Sequence, residues 1–477
     1  MPIELDRDSE RPLGEQVADG LAALIERGEW LAGSRLPSVR QLAQRLGVSA
    51  FTVLAGYDRL IARQLVVSRP GAGYFVVTPQ APLVRNDAPF VHADPADAVG
   101  FAMQALDGEG VAVRSGTGYL PESWLEEAIP AALVARVAKD RAALFRSTPP
   151  QGRPGLRERL ASRLQGLGIA ASAAHVVTTI GASHAADLVL RALLRPGDCV
   201  VVEDPGYLFF AAQVRALDLN LVAVPRRSDG PDLAALEEAA QRHHPKLFIT
   251  QTLLHNPTGG STSPAHAHRV LMLAERYGFQ ILEDDVYGDL APRGATRLAQ
   301  LGGLRRVFYA GSFSKMLSPA LRVGYLALPA AALDAVLGQK VLNQLASPGF
   351  PEAVLEAVLD AGRFPRHTQQ LRTRLAQFRT GALALLSGAG LQFDDAAAQD
   401  GLFLWGRLPG LVDADGFVRG ALAQGVLLAM GRMFSPSGGC GEYLRFSVAH
   451  SCDPRLAQVL MQARPSNANV LPLRRPG

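Results

Sequence analysis

Hydrophobic and polar positions show two different patterns of spacing along the chain. Over the first 78 residues the apolar positions have helical spacing, which predicts a helix over 13–27 and two shorter helices within 36–48 and 49–64. Gly47 separates the two shorter helices, and two short apolar runs then flank a turn signal at 70–73. A helix, a tight turn, a second helix and a hairpin predict a winged helix-turn-helix.

From about residue 100 onward, short β-rich runs alternate with helical patterns. The runs are HVVTTI, DCVVVED, KLFITQ, FQILEDDVY, RVFYAGS and RVGYLAL. This alternation predicts an α/β fold, with a mostly parallel sheet covered by helices on both faces. We therefore expect a winged helix over 1–78, a linker with four prolines over 79–99, a large domain over 100–465 and a flexible tail over 466–477.

Composition sets limits on the class of protein. A length of 477 residues predicts two or three domains, and 48% hydrophobic residues suffice for large buried cores. The net charge of +4 is small for this length and predicts no general affinity for nucleic acid. Three scattered cysteines predict neither a disulfide framework nor a metal site. The polar N-terminus is unlike a signal peptide and no apolar run reaches membrane-spanning length, so we expect a cytoplasmic protein without membrane contact.

Lysine is rare in this chain, which draws attention to the few that are present. Of 48 basic residues only four are lysines: Lys139, Lys246, Lys315 and Lys340. An amine can form a Schiff base, whereas a guanidinium stays protonated and cannot. Lys315 lies in GSFSKMLSPALRVGY, where hydroxyl residues precede it and an arginine follows. This setting suits an aldehyde cofactor that carries a phosphate; the alternative is a solvated lysine in a serine-rich loop.

Candidate ligand-binding residues follow five of the predicted strands. Ligands of open α/β sheets bind at the carboxyl ends of strands, so we expect these residues to converge. They are Gly181, Ala182 and Ser183 at a helix start, Tyr207 after Pro-Gly, Asn256 in an Asn-Pro-Thr-Gly loop, the acidic run Glu283, Asp284 and Asp285 with Tyr287, and Ser312 with Lys315. Helix-start N–H groups can bind phosphate, and a carboxylate can pair with a protonated pyridine nitrogen. Each feature alone is common in turns and cores, but together they predict a pyridoxal phosphate site.

Two parts of the chain resemble known families. Residues 100–460, with the blocks HNPTG, EDDVYGDL and SFSK, resemble fold-type-I pyridoxal-phosphate-dependent aminotransferases. Residues 1–78, with LPSVRQLAQRLGVS, resemble a GntR-type winged helix, and the whole chain is similar to the MocR branch of the GntR regulators. The resemblance implies a transferase-like domain, with a small C-terminal subdomain, that senses an amine or amino acid. It also implies a homodimer that binds a double-stranded DNA operator.

The aminotransferase resemblance implies a role for each matching residue. Lys315 would bind the cofactor covalently and Asp284 would hold its ring nitrogen, with Asp285 the less favoured choice; Lys315, Asp284 and Tyr207 would be the catalytic residues. The remaining cofactor contacts would be Tyr207 on the ring face, Tyr287 and Asn256 at the ring hydroxyl, and Ser312, Arg322, Gly181, Ala182 and Ser183 at the phosphate. Arg445, with Asn256, would bind a substrate carboxylate. At Ser147 the chain lacks the tyrosine with which the family usually reaches the phosphate of the neighbouring subunit.

The winged helix carries the local positive charge. Six arginines and one acid lie between residues 35 and 73, which is the pattern expected for phosphate contacts. By resemblance, the DNA-binding residues are Arg35, Ser38, Arg40, Ser49, Thr52, Arg69 and Gly71. The family's recognition helix usually carries arginine where this chain has Ala50, Leu54 and Ala55. Ser49, Phe51 and Thr52 stand there instead; hydroxyls can contact bases or phosphates, and apolar groups can contact a thymine methyl.

Three functions remain open from the sequence. The first is a pyridoxal-phosphate-dependent transcriptional regulator whose effector shifts DNA binding. The second is a working aminotransferase with a vestigial DNA-binding arm, which the apparently complete catalytic set and the weakened recognition helix favour. The third is a pyridoxal phosphate protein that only holds a dimer together. Operator binding separates the first from the others, and turnover with a 2-oxo acid separates the second.

Overall fold

The computed structural model of the chain describes residues 3–77, except positions 4, 8, 10, 28, 32 and 70, and residues 97–394 and 400–463. The chain forms two compact units, Met1–Val91 and His92–Gly477. Of the predicted linker, 79–99, only the last three positions are described, and there Asp97 caps a helix by accepting a hydrogen bond from Gly100 N at 2.7 Å. The predicted tail, 466–477, lies outside the described residues. The proposed domain boundaries therefore stay predictions.

The first unit is a three-helix bundle with a hairpin. Its elements are α1 (Leu13–Glu26), α2 (Val39–Leu46), α3 (Ala50–Ala62), β1 (Val66–Arg69) and β2 (Gly73–Val76), and the two strands pair antiparallel. Gly47 ends α2 with φ of 62°, a left-handed conformation that glycine adopts without strain. The apolar faces of the three helices share one core, built around Val17, Leu21, Val53 and Tyr57. This unit is the predicted winged helix-turn-helix.

The second unit contains the remaining helices and strands. Its helices are α4 (Ala98–Asp107), α5 (Glu122–Leu125), α6 (Ala131–Ala138), α7 (Arg141–Phe145), α8 (Pro154–Gly166), α9 (Gly181–Leu193), α10 (Leu208–Ala216), α11 (Leu233–His243), α12 (Pro264–Tyr277), α13 (Leu298–Gly302), α14 (Leu333–Gln344), α15 (Gly349–Asp360), α16 (Phe364–Gly388), α17 (Ala414–Ala423) and α18 (Pro454–Gln462). Its strands are β3 (Val176–Thr179), β4 (Cys199–Asp204), β5 (Asn220–Arg227), β6 (Gly230–Pro231), β7 (Leu247–Thr250), β8 (Gln280–Asp284), β9 (Val307–Ser312), β10 (Gly324–Ala327), β11 (Phe403–Arg407), β12 (Ala429–Met430) and β13 (Tyr443–Ser447).

One eight-stranded sheet organises this unit, in the order β3-β10-β9-β8-β7-β4-β5-β6. The neighbours from β9 to β5 pair parallel, β10 runs antiparallel to β3 and β9, and β6 runs antiparallel to β5. Separate apolar clusters pack on the two faces of the sheet, because successive buried residues along each strand point to opposite faces. The prediction of a mostly parallel α/β sheet is confirmed. A three-stranded antiparallel sheet, β11-β13-β12, forms the small C-terminal part.

Candidate active site and DNA-contacting surface

The segments at the carboxyl ends of β3, β4, β7, β8 and β9 border one cavity of about 420 Å³. All ten residues that the sequence predicts around the cofactor line this cavity, and so does Arg445. The sheet explains the convergence, since these five strands run in the same direction and end at one edge. Residues that the sequence did not single out complete the wall: among them are Phe101, Gly118, Tyr119, Gln251 and Ser314.

Lys315 follows β9 and faces the cavity. Its Nζ lies 3.6 Å from the centroid of the Tyr119 ring, and no described residue forms a hydrogen bond with it. A Cβ added to Gly118 would lie 3.6 Å from this Nζ and 3.7 Å from the Tyr287 hydroxyl, so the small residue keeps space for both groups. Burial, assisted by the nearby Arg445 and Arg322, lowers the pKa of Lys315 to about 7. A large share of the molecules therefore carries a neutral, nucleophilic amine at physiological pH.

The two neighbouring aspartates at the end of β8 have different surroundings. Asp284 lines the cavity; its Oδ2 accepts a hydrogen bond from Gln251 Nε2 at 2.7 Å, and its buried Oδ1 has no partner among the described residues. Burial raises the pKa of Asp284 to about 7. Asp285 lies away from the cavity, where Arg297 Nε donates to it at 2.6 Å and the Tyr309 hydroxyl also donates. This is the opposite-face alternation of a strand.

Gln251 connects Asp284 with the loop that carries Asn256. Its Nε2 donates to Asp284, and its Oε1 accepts a hydrogen bond from the backbone N–H of Asn256 at 2.9 Å. Gln251 is the residue directly after β7, so its position at a strand end was visible in the sequence. It belongs to none of the sequence blocks that carry the family resemblance, so the sequence did not point to it.

Arg445 extends from β13 into the same cavity. It is 2% exposed, and its guanidinium lies between the rings of Phe403, at 4.4 Å, and Phe434, at 4.8 Å. Its Nη1 donates to Asn256 Oδ1 at 2.8 Å, Nη2 donates to the carbonyl oxygen of Gly116, and the buried Nε has no partner among the described residues. Burial lowers the pKa of Arg445 to about 10, which leaves the guanidinium charged at neutral pH. A buried positive charge with a free donor suits an anionic ligand group.

Hydrogen-bond donors collect at the start of α9. Arg322 Nη1 donates to Ser314 Oγ at 3.2 Å, and Ser312 Oγ accepts from the Ser314 N–H at 3.2 Å. Gly181 has φ of 77°, and a Cβ there would lie 3.0 Å from Arg322 Nη2, so only glycine fits. A helix N-terminus beside a guanidinium and two hydroxyls is suited to a phosphate.

Two tyrosines complete the ring-sized part of the cavity. Tyr207 precedes α10 and packs edge-on against Phe209, at 5.5 Å, and Phe210, at 5.1 Å. Tyr287 packs edge-on against Phe403 at 5.2 Å. Burial raises the pKa of Tyr207 and of Tyr287 above the usual value, so both hydroxyls stay protonated and can donate hydrogen bonds.

Ser147 is exposed and does not line this cavity. The resemblance assigns its position to the phosphate of the neighbouring subunit, so the expectation for Ser147 stays a prediction. No group of three or more His, Cys, Asp or Glu side chains suited to a metal ion occurs within the described ranges. No helix described in the structure has the length and apolar character needed to cross a membrane.

The predicted DNA-contacting residues lie in the first unit and divide into two groups. Ser38 caps α2 by accepting from Gln41 N at 3.3 Å, and Ser49 caps α3 by accepting from Thr52 N at 3.0 Å. The Ser49 and Thr52 hydroxyls also share a hydrogen bond of 2.8 Å. Ser38 and Ser49 therefore stabilise the N-terminal ends of α2 and α3 as N-caps.

The arginines of the same unit differ in their partners. Near the C-terminal end of α3, Arg59 pairs with Glu15 at 3.3 Å and Arg63 pairs with Asp19 at 2.7 Å. Exposed Arg35, Arg40 and Arg45 form no ion pair with any described residue, and exposed Arg69 lies over the Phe75 ring at 4.6 Å. At the hairpin turn Gly71 has φ of 74° and open space around it. Among these arginines, the charge without an acidic partner therefore lies on α2, at Arg35 in the segment before α2, and on the hairpin.

Two family models match the chain. The model described as "Aminotransferase class I and II" matches residues 65–462, and the model described as "Bacterial regulatory proteins, gntR family" matches residues 13–76. The chain belongs to the class I and II aminotransferases, in the MocR-type branch of the GntR family. The sequence resemblance is confirmed, and with it the fold class.

Relatives of this MocR-type chain include both regulators and enzymes. YdcR of Escherichia coli (strain K12), an uncharacterized HTH-type transcriptional regulator, is 29% identical over 465 residues, which are 94% of this chain and 97% of YdcR. MocR of Rhizobium meliloti, a probable rhizopine catabolism regulatory protein, is 29% identical over 397 residues, or 80% and 79% of the two chains. The crystal structure of LysN, the α-aminoadipate aminotransferase of Thermus thermophilus complexed with N-(5'-phosphopyridoxyl)-L-leucine, superposes with a TM-score of 0.70 at 26% identity, over 78% of this chain and 97% of LysN.

The residues of this MocR-type cavity fit pyridoxal phosphate, the cofactor of class I and II aminotransferases. A buried carboxylate oxygen without a partner, Asp284 Oδ1, matches the need for a group beside a pyridine nitrogen. The glycine start of α9, with Arg322 beside it, leaves room and donors for a phosphate. Lys315 supplies an amine in the same cavity. Tyr119, which the sequence missed, lies in a segment without strand or helix pattern, so only the folded chain brings it there.

Proposed function

We propose that this chain is a pyridoxal-phosphate-dependent transcriptional regulator, in which a winged helix binds operator DNA and the cavity binds an amine or amino acid. The observation that carries the proposal is the coexistence, in one chain, of exposed arginines without acidic partners and a cavity that combines an amine of lowered pKa with an unpartnered carboxylate oxygen. Such a regulator acts on DNA in the cytoplasm, and relatives over most of the chain's length are named as HTH-type transcriptional regulators.

In the cavity, each group of residues would have a separate task toward the cofactor. Bound pyridoxal phosphate supplies an electrophilic carbon that captures primary amines and a ring that withdraws electrons. Lys315 would hold the cofactor covalently, and Asp284, as a carboxylate, would keep the ring nitrogen protonated. Tyr207 would cover the ring, while Asn256 and Tyr287 would hydrogen-bond its hydroxyl. Ser312, Arg322 and the start of α9 would hold the phosphate.

Arg445 favours an effector that carries a carboxylate. Its Nη1 and Nη2 already donate to Asn256 and Gly116, so a carboxylate would either bind at the free Nε or replace the Asn256 amide oxygen. Replacement would free the Asn256 side chain within a network that reaches Asp284 through Gln251. The proposed effector is therefore an amino acid rather than a simple amine.

The active form would be a homodimer. A two-fold dimer presents two winged helices, which match paired half-sites on the operator. An effector that binds two conformations with different affinity then changes operator affinity, and a coupling of about 5–150-fold is usual.

Operator titration tests this proposal. The full chain is titrated with DNA from the region flanking its gene, first without cofactor, then with pyridoxal phosphate, then with cofactor and a panel of amino acids. We expect at least one amino acid to change operator affinity by about fivefold or more, with Lys315→Ala as a control that does not respond. Operator binding that no amino acid changes would contradict the sensing part, and absence of any DNA binding would contradict the regulator.

A working aminotransferase is the second candidate, because the cavity contains Arg445 and every predicted cofactor residue. It predicts steady conversion of an amino acid and a 2-oxo acid. Turnover without operator binding would favour the enzyme over the regulator.

A further inference from the structure

Phe51 is the most exposed large apolar side chain among the described residues of the first unit. It is the second residue of α3 and is 79% exposed, although phenylalanine is usually buried. Leu54, three positions later on the same side of the helix, is 39% exposed. The opposite side of α3 is in the core, where Val53 and Tyr57 are 0% exposed. The helix that follows the turn therefore presents an apolar pair outward.

The polar neighbours of Phe51 are engaged within the helix start. Ser49 Oγ accepts from the Thr52 N–H at 3.0 Å and shares a second hydrogen bond of 2.8 Å with the Thr52 hydroxyl. Both hydroxyls thus use hydrogen-bonding capacity inside the cap. In this first turn Phe51 is exposed to solvent, and its side chain can form no hydrogen bond.

The surroundings of Phe51 indicate which partner covers it. Arg45 lies in the last turn of α2, just before the Gly47 turn that leads into α3, and Arg40 lies on the same helix. Neither forms an ion pair with a described residue, whereas Arg59 and Arg63, at the far end of α3, are neutralised by acids of α1. Arg45 therefore places positive charge without an acidic partner close to the N-terminal end of α3, and Arg40 adds to it on the same helix. This arrangement is complementary to DNA phosphates on either side of a groove that receives the helix start.

The base edges of the major groove offer one apolar feature, the C5-methyl group of thymine. A phenyl ring cannot read a donor or an acceptor, but it can bury this methyl. We propose that Phe51, flanked by Leu54, contacts thymine methyl groups in the major groove and makes operator recognition depend on thymine. The inference rests on the proposed DNA-binding function and names the base feature that this function recognises.

Replacing thymine with deoxyuridine tests the inference, because it removes the methyl and keeps every hydrogen-bonding group. Full-length protein first selects duplexes from a random-sequence pool at fixed salt. The tightest duplex is then remade with single dT→dU changes, and Kd is measured for each. We expect a loss of about fourfold at each contacted thymine, which corresponds to ~0.8 kcal/mol per buried methyl-sized group. Phe51→Ala should bind the thymine duplex more weakly and show no further loss with deoxyuridine.

Leu31→Ala is the matched control, since Leu31 is 73% exposed and lies outside the helices. It should keep wild-type affinity and full sensitivity to deoxyuridine. Phe51→Ala should unfold at the wild-type denaturant concentration because the side chain contributes little to the core.

Three results would overturn the inference. In the first, wild-type protein binds the thymine and deoxyuridine duplexes equally at every position. In the second, Phe51→Ala still binds the deoxyuridine duplex more weakly than the thymine duplex. A change of oligomeric state in Phe51→Ala belongs to this second result, because it would show that the side chain contacts protein rather than DNA. In the third, the pool yields no bound duplex at all, which would overturn the proposed DNA binding itself, so the two failures are distinguishable.

Discussion

Lys315 and Lys340 are two of only four lysines, and burial lowers the pKa of both. Lys315 lines the large cavity, and its Nζ lies over the face of the Tyr119 ring, 3.6 Å from the centroid. Lys340 is fully buried in α14, where its Nζ donates to the Thr178 carbonyl oxygen at 2.6 Å and to the Thr178 hydroxyl at 3.3 Å. The same rare residue therefore occupies a site open to ligands and a closed site in the core.

The difference teaches that partners, rather than residue type, separate an available cation from a structural one. The arginines of the first unit divide in the same way, since Arg59 pairs with Glu15 while Arg40 has no acidic partner among the described residues. A cation whose donors already have protein partners, as Lys340 and Arg59 do, is not available to a ligand. One without them, at a cavity or an exposed face, is free to bind an anion or react.

The largest expected effect is the loss of the covalent cofactor in Lys315→Ala. Wild-type protein reduced with borohydride in the presence of pyridoxal phosphate should carry the cofactor on the peptide that contains residue 315, as mass spectrometry would show. Lys340→Met should label as wild type, because Thr178 and the core isolate that position. Cofactor labelling of the same peptide in Lys315→Ala would contradict the assignment of Lys315 as the reactive lysine.

The second effect concerns Asp284 and Asp285. Like the two lysines, one of them lines the cavity and the other is bound to protein partners. Asp285→Asn leaves Arg297 buried without its charge partner, so we expect a loss of roughly 3–5 kcal/mol in unfolding free energy. Asp284→Asn should change stability little, since burial already raises the pKa of Asp284 to about 7, yet it should lower cofactor retention. Denaturant unfolding and cofactor retention after dialysis measure both. A reversed ranking would show that Asp285, rather than Asp284, serves the cavity.

The third prediction is a pH dependence at Lys340. Its pKa is lowered to about 8, below the unfolded value of about 10.4, so the folded protein bears the full penalty of a buried charge below pH 8. As pH rises above 8, the folded state releases this proton while the unfolded state keeps it, and stability rises. Between pH 7 and 10 the unfolding free energy of the wild type should therefore rise relative to that of Lys340→Met. The rise should be at most about 1.4 kcal/mol for each unit by which the Lys340 pKa is lowered. A difference in unfolding free energy between wild type and Lys340→Met that stays constant from pH 7 to pH 10 would contradict this prediction.

The smallest effect separates the partnered and unpartnered arginines on DNA. Arg40→Ala and Arg69→Ala should each weaken binding across sequences and make the slope of log K against log salt shallower by about 0.9 per lost phosphate contact. Arg59→Ala should leave the slope unchanged because Glu15 already compensates it. Wild-type affinity and a wild-type slope in Arg40→Ala and Arg69→Ala would remove these two residues from the interface.

Local signals explain what the sequence could predict. Ser38 and Gly47 bracket α2 because a cap and a left-handed turn are properties of single residues. The cavity wall followed from strand ends, which meet wherever parallel strands form a sheet. Tyr119 and the burial of Lys340 could not be predicted, since both depend on packing between distant segments. The pairing of Arg59 and Arg63 with α1 was missed for the same reason, so six arginines overstated the free positive charge. The roles of the individual site residues stay predictions.

The orientation of Gln251 has a consequence for where a proton can reside. The backbone N–H of Asn256 donates to Oε1, so the amide cannot turn over, and its NH2 group always faces Asp284 Oδ2. A proton on the Asp284 carboxyl group therefore belongs on Oδ1, the oxygen without a partner. A neutral side chain that never titrates thus makes the two chemically equal oxygens of one carboxyl group unequal.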